Sequence, residues 1–177
     1  MKLKIGQKVP KFLKKDIWGN EINLSQLSSQ KVLLTFFRYA ECALCNFRIS
    51  EVMRYQNQMQ EQGIHFIAVF ESPVDSLQKS VADRHQFKFT IIADPNRELY
   101  NLFQVKPSWT SLFRTMSFKA IKMVIAANKL GFKPGGKVEG AFNQIPADFL
   151  ISKLQIIEIA HYGNSVIDHL PLDEILH

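Results

Sequence analysis

The chain has little cysteine, no long apolar run and almost no acid in two of its segments. Cys42 and Cys45 are its only cysteines in 177 residues, which excludes a scaffold held together by several disulfides. A structural zinc site needs four ligands. The five histidines (65, 85, 161, 169 and 177) offer no pair at helical spacing to join the two thiols. No stretch approaches the roughly 18 apolar residues of a membrane span. The opening MKLKIGQKVPKF interrupts each apolar pair with charge, so no secretory apolar region is expected. These absences predict a soluble protein of a reducing compartment, the cytoplasm, with no metal and no organic cofactor.

Acid is missing in a pattern. Residues 1–15 hold six lysines and no Asp or Glu, and residues 104–140 hold seven basic residues against Glu139 alone, within a net charge of +6. Basic patches can meet nucleic acid or an anionic surface, but lysine-rich termini are commonly solvated. Neither nucleic acid nor membrane is an expected partner. Hydrophobic residues at 46% and charged residues at 21% are ordinary for a globular chain. A chain of this length buries roughly 70% of its unfolded surface, so one domain over residues 1–177 is expected. No repeat or low-complexity tract interrupts it.

Hydrophobic periodicity orders the rest. Gly19-Asn20 between short apolar stretches signals a hairpin. Residues 31–38 form a near-continuous apolar run suited to a strand buried on both faces. From Cys45 the period turns helical, with Cys45, Ile49, Val52 and Met59 on one face and Gly63 as the stop. IHFIAVF (64–70) is a second strand. Ser72 and Pro73 are placed to cap and open a helix reaching about Arg84. FTIIA (89–93) is a third strand, and Asp94-Pro95 starts a helix through Phe103. Two late strands, 148–152 and 154–160, flank Lys153, and residues 173–176 begin a last helix. Alternating strands and helices predict an α/β sheet with parallel strands. Residues 108–130 are extra: amphipathic and basic, with Phe113, Met116, Ile121, Val124 and Ile125 apolar. They are expected as a helix laid against the sheet, with self-association and membrane-surface contact as alternatives in that order.

The two sulfurs occupy different places. Cys45 shares the apolar helical face and should be partly buried, whereas Cys42 stands at the helix start with better access. A thiol must ionise to attack. Free backbone N–H groups and the positive end of the helix dipole favour the thiolate, and in C-x-x-C sites the pKa commonly falls to roughly 3.5–7.5. Three-residue spacing lets the second sulfur attack a mixed disulfide on the first. Cys42 is therefore the expected nucleophile and Cys45 the resolving thiol. Glu41 opposes this, since an adjacent carboxylate raises a thiol pKa, and Arg38 and Arg48 are candidates to offset it. Cys42 is expected to be less acidic than in the most oxidising C-x-x-C sites. Two packed, inert cysteines are the alternative.

The segments KIGQKVPKFLKKDIWGNEINLSQL, VLLTFFRYAECALC, ADPNRELYNLF and IPADFLISKLQIIEIAHYG, in that order and spacing, resemble the thioredoxin-fold redoxins of the AhpC/TSA, peroxiredoxin-like family. The resemblance spans nearly the whole chain. It implies a thioredoxin-like α/β fold: a central mixed sheet flanked by helices, with an N-terminal hairpin and a helical insertion at about 108–130. It implies an oxidoreductase in which Cys42 and Cys45 cycle between dithiol and disulfide. It also implies a cis bond at Pro146 whose backbone receives substrate beside Cys42, the alternative being a trans proline at a strand edge.

Two departures qualify the reaction. Peroxide-reducing members place Thr three residues before the reactive Cys and Arg near the late strand. On that frame Cys45 would react, Cys42 replaces the Thr and Pro146 stands about where the Arg belongs, so Arg38 or Arg114 would have to substitute. The Trp and Pro that often surround the first Cys of thioredoxins are here Glu41 and Ala43. Thiol–disulfide exchange is thus expected ahead of reduction of hydrogen or alkyl peroxides, with a non-catalytic binding module as a third reading. Pro146 and Arg38 are the expected substrate-binding residues. A protein disulfide or a peroxide is the expected substrate, a thioredoxin or glutathione system the electron donor, and a homo-oligomer is open. Asp148 is a strand-edge residue or the base that takes the Cys45 proton, and His161 and His169 are expected in loops.

Overall fold

Lys31–Phe36 reads Lys-Val-Leu-Leu-Thr-Phe, a run with no continuous polar face, and it forms the central strand β3. The computed structural model describes residues 1–83 and 89–176. Around β3 lies a five-stranded sheet in the order β5-β4-β3-β6-β7, where β4 is Ile64–Phe70, β5 Thr90–Ala93, β6 Ala147–Ile151 and β7 Ile157–Tyr162. The β3–β4 and β4–β5 pairs are parallel, and β3–β6 and β6–β7 are antiparallel. The expected mixed sheet is present. The expected hairpin is β1 (Leu13–Lys15) with β2 (Glu21–Asn23). Its turn is closed by the Asp16 carboxylate, which accepts from the Trp18 and Asn20 N–H groups, and by Gly19 at φ +91°.

Strand alternation divides the core into two layers. Val32, Leu34 and Phe36 pack with Leu99, Tyr100, Phe103 and Phe149 on one face. Leu33 packs with Phe66, Phe70, Ile49, Val52 and Met59 on the other. Phe36 meets the rings of Tyr100 and Phe103 at 5.0 and 5.3 Å. Truncating such a fully buried ring costs about 3–5 kcal/mol. Tyr100 also donates its hydroxyl to the carbonyls of Phe37 and Val69, which ties the C-terminal ends of β3 and β4 together.

The helices depart from the sequence reading in four places, each for a local reason. The helix expected from the cysteines to Gly63 is two, α1 (Ala43–Arg54) and α2 (Gln56–Glu61), because Tyr55 leaves helical geometry and its N–H turns to Val52. Ser72 does not cap α3 (Val74–Leu77). Its hydroxyl accepts from the Ala40 N–H at 2.8 Å instead, and α3 runs on as a π-helical turn over Gln78–Ala82. The predicted end at Arg84, with His85, lies outside the described residues, as does His177. α4 is Glu98–Leu102, starting late because Arg97 is left-handed at φ +60°. Asp94 still caps it, accepting from the Glu98, Leu99 and Tyr100 N–H groups. Residues 108–130 form two helices, α5 (Trp109–Arg114) and α6 (Phe118–Lys129), capped by the hydroxyls of Ser108 and Ser117. α6 packs on α1 through Ala127 and Ala43, with Phe132 and Phe47 beside them, and is not laid on the sheet. Residues Leu172–Ile175 form α7. Among the described residues no helix is long and apolar enough to cross a membrane.

Candidate active site

The segment leaving β3 is held from several sides before it enters α1. The Glu71 N–H donates to the Arg38 carbonyl, and Ser72 takes the Ala40 N–H. Asn46 donates its amide to the Ala40 and Cys42 carbonyls, at 2.7 and 3.1 Å. The turn closes with the Cys42 N–H on the Tyr39 carbonyl. Cys42 is then the N-cap of α1, and its sulfur accepts from the Cys45 N–H at 3.4 Å. A sulfur in this position stands where a capping oxygen usually satisfies a free helix N–H.

Both cysteines are reduced and buried, Cys42 being 4% exposed and Cys45 3%. The expected accessibility of Cys42 is not found: Arg38 lies beside its sulfur, and the 131–144 segment is bonded to Arg38 through the Phe142 carbonyl and to Glu41 through the Lys137 N–H. Burial opposes ionisation of Cys42. The Cys45 thiol hydrogen bond, the Arg38 charge and the backbone N–H groups of Cys45 and Leu44 outweigh it and bring the Cys42 thiol down to about 7. Cys45 moves the other way: burial, its hydrogen bond to Cys42 and the negative charge there push its thiol well up. The two sulfurs are thus chemically unlike, although both are covered.

Arg38 is buried, with its Nη1 3.8 Å from the Cys42 sulfur. Nη2 donates to the Phe142 carbonyl, and the guanidinium lies over the rings of Tyr39 and Phe142 at 5.0 and 5.1 Å. Its Nε is buried without a hydrogen-bond partner. Glu41 does not act on Cys42 as adjacency suggested. Its carboxylate accepts from the Lys137 N–H, and a Cβ at Gly136 would collide with its side chain. A second carboxylate, Glu71, pins the same segment: it pairs with Arg97 and accepts from the Ala141 N–H. Arg97 also donates to Gln144 at 2.8 Å. The sequence offered one trace of this strap, its glycines. Gly140 at φ +87° leaves no room for a Cβ against the Glu71 carboxylate. Nothing in the sequence singled out Phe142 or Asn46, and Ser72 read only as a helix cap.

The remaining candidates lie elsewhere. Arg48 is buried and donates to the Leu170 carbonyl, while Arg114 is exposed on α5. Asp148 is filled by Thr35, His169 and the Leu170 N–H. Burial works against its charge, but His169, Arg48 and the Leu170 N–H hold the carboxyl at about 2. Such a carboxylate anchors the C-terminal segment and is poorly suited to take a proton. His169 lies in a loop as expected, with its side chain largely covered and its ring tilted against that of Phe37 at 5.3 Å. His161, expected in a loop, stands in β7 opposite Asp148 and contacts Asp168 at 3.1 Å. The bond before Pro146 is trans, correcting the expected cis form. Pro146 is buried, its carbonyl accepts from the Gly163 N–H, and it lines a cavity of about 320 Å³ with Lys2, Lys106 and Ser108, to which neither cysteine contributes. Among the described residues no group of three or more His, Cys, Asp or Glu could hold a metal.

A thioredoxin-like sheet with a C-x-x-C at the start of its first long helix has a clear counterpart: the profile of the AhpC/TSA family matches residues 5–159. The chain belongs to the AhpC/TSA family. It is similar to the thiol-disulfide oxidoreductase ResA of Bacillus anthracis, with 24% identity over 70% of this chain and 71% of that one. It is also similar to the peroxiredoxin Bcp of Escherichia coli strain K12, with 23% identity over 58% of this chain and 65% of that one. In structure it resembles the peroxidoxin BcpB from Mycobacterium tuberculosis, with a TM-score of 0.71, 18% identity, and 98% and 94% of the two chains covered. Within this AhpC/TSA chain the peroxide-reducing frame assigns reaction to Cys45, whose thiol is the one pushed up. The cation beside the low-pKa sulfur comes from Arg38, four residues before it, and not from the late strand.

Proposed function

We propose that this AhpC/TSA protein is a thiol–disulfide oxidoreductase with Cys42 as nucleophile and Cys45 as resolving thiol. The observation that carries the reading is geometric: the Cys42 sulfur caps α1, accepts from the Cys45 N–H at 3.4 Å and has the Arg38 guanidinium 3.8 Å away, while Cys45 lies one turn inside the helix. The Cys42 thiolate attacks a substrate disulfide, forming a mixed disulfide and expelling the second substrate sulfur as a thiolate. Cys45 gives its proton to solvent and attacks the Cys42 sulfur, which releases the first substrate thiolate and leaves a Cys42–Cys45 disulfide. Two electrons pass from the protein dithiol to the substrate disulfide. Arg38 supports the first step by stabilising the thiolate. A thioredoxin- or glutathione-type donor then returns the pair to the dithiol, and the cytoplasm is the compartment that fits such a donor. Pro146 precedes β6 at Ala147, which pairs with Phe36 just before the cysteine turn, so it sets where that strand begins beside the site.

The test is reduction of a disulfide such as that of insulin, with Cys42→Ser and Cys45→Ser compared. Cys42→Ser is expected to abolish turnover and Cys45→Ser to stall as a mixed disulfide. Turnover that survives Cys42→Ser unchanged refutes the assignment.

Peroxide reduction at Cys42 is the second reading, favoured by one observation: the unpartnered Nε–H of buried Arg38 beside the sulfur is a donor for a peroxide oxygen. The Cys42 thiolate would take one oxygen of hydrogen peroxide, breaking the O–O bond and releasing the other as water, and Cys45 would condense with the resulting sulfenic acid, releasing a second water. Stopped-flow oxidation by hydrogen peroxide no faster than that of free cysteine excludes it.

A further inference from the structure

We propose that the groove formed by α5 and α6 docks an acidic, apolar-anchored segment of the protein that exchanges disulfides with Cys42. This rests on the thiol–disulfide reading above and names the chemistry of its partner. The groove holds about 580 Å³ and is lined almost wholly by apolar side chains, among them Phe113, Met116, Ile121 and Ile125. Met116 is 85% exposed and the nearby Phe118 86%, so among the described residues nothing covers these two side chains. Isolated exposed apolar residues are ordinary, but a contiguous patch of this kind marks a binding surface.

The charge of the two helices states the partner's charge. Arg114, Lys119 and Lys122 stand on the two helices, and among the described residues none has a carboxylate within 4.0 Å. Residues 104–140 hold seven of the 22 basic residues and one of the 16 acidic ones, so this segment alone accounts for the whole net charge of +6. An occupant that buries apolar side chains in the groove and carries carboxylates to meet the exposed cations of the two helices is complementary in both respects. A second copy of the chain would set the same uncompensated cations against each other. A bilayer is flat and would meet the projecting tips of Met116 and Phe118 without filling the groove.

The groove's inner wall links it to the chemistry. Leu44 and Phe142 line it. Leu44 lies between the two cysteines, and the Phe142 carbonyl receives the Arg38 guanidinium. A segment bound here is therefore delivered beside a sulfur that is only 4% exposed. An approach by free diffusion to so covered an atom is slow, and docking raises the local concentration of the reacting disulfide.

The test uses a synthetic amphipathic peptide of about three helical turns, with leucines on one face, glutamates on the other, and its single cysteine carried as a mixed disulfide with thionitrobenzoate. A second peptide replaces every glutamate with lysine, and the small disulfide 5,5′-dithiobis(2-nitrobenzoate) serves as a substrate that needs no groove. Release of thionitrobenzoate is followed for each. The glutamate peptide is expected to exceed the lysine peptide about tenfold in kcat/KM at low ionic strength, with the gap closing at high salt. Phe113→Ser with Ile121→Ser should lower the ratio of the glutamate-peptide rate to the small-disulfide rate about tenfold, and Arg114→Glu with Lys122→Glu should reverse the preference. Equal rates for the two peptides, or a preference untouched by these variants, overturn the proposal. So does binding of the protein to phosphatidylglycerol vesicles without any peptide preference. Absence of reaction with the small disulfide refutes the thiol–disulfide reading itself, which keeps the two failures apart.

Discussion

The Arg38 guanidinium lies 3.8 Å from the Cys42 sulfur, whereas the carboxylate of Glu41, the residue adjacent to Cys42, is turned away to the Lys137 N–H. Sequence distance and electrostatic weight are therefore inverted at this site. A residue four positions away lowers the thiol pKa, and the immediate neighbour spends its charge on a loop.

Arg38→Met is expected to raise the Cys42 titration from about 7 by about one unit, since the guanidinium favours the thiolate. Glu41→Gln should leave it within about 0.3 unit, a smaller change than an adjacent carboxylate in contact with the sulfur would produce. Thiolate absorbance at 240 nm against pH, or the pH dependence of iodoacetamide alkylation, reads both. In the unaltered protein the alkylation rate should climb through about pH 7 and level off above it. A Glu41→Gln titration displaced by a full unit would contradict the geometry.

Gly140 and Gly135 both have positive φ, at +87° and +96°, but only Gly140 abuts another side chain. Alanine at either position meets backbone strain of about 1 kcal/mol or more. At Gly140 the added Cβ also drives into the Glu71 carboxylate, which holds the Ala141 N–H next to Phe142. Gly140→Ala should therefore lower stability more than Gly135→Ala in urea unfolding. It should also raise the Cys42 titration by loosening the Phe142 carbonyl from Arg38. Equal effects of the two substitutions on the thiol would refute the coupling.

Asp148 should dominate the acid limb of stability. Its carboxyl sits at about 2 in the folded protein against an ordinary value of 3.8. A depressed carboxyl contributes stability that is complete above its unfolded pKa and disappears as pH falls through its folded one. The contribution is about 2 kcal/mol. Asp148→Asn should cost about that much at neutral pH, with the gap to the unaltered protein closing between about pH 4 and 2. Urea midpoints measured across this range decide it. A gap that persists at pH 2 assigns the loss to packing instead.

Much of the fold was legible because each central strand is a run that can only be buried. Residues 31–36 and 64–70 lack a polar face, and both became interior strands. Helix limits were less legible where a side chain found a partner far along the chain. Ser72 has the type and place of an N-cap, yet Ala40, 32 residues away, takes its hydroxyl. Asp148 read as a strand-edge residue or a base and proved to be the anchor of His169 and Leu170, 21 and 22 residues on. The trans bond at Pro146 shows the limit of a resemblance, since the peptide before a proline is set by surrounding contacts and not by the motif alone.

By itself the sequence determined the order of strands and helices, the family, and the placing of two cysteines one helical turn apart. The order and the cysteine placing follow from periodicity and spacing, which are local properties of the chain, and the family from the resemblance of its segments. Tertiary structure alone decided that both sulfurs are covered, that Arg38 rather than Arg48 or Arg114 meets Cys42, and that Glu41 does not. Burial and charge act through space, and the strap that closes the site arrives from residues 131–144, about a hundred positions further along the chain.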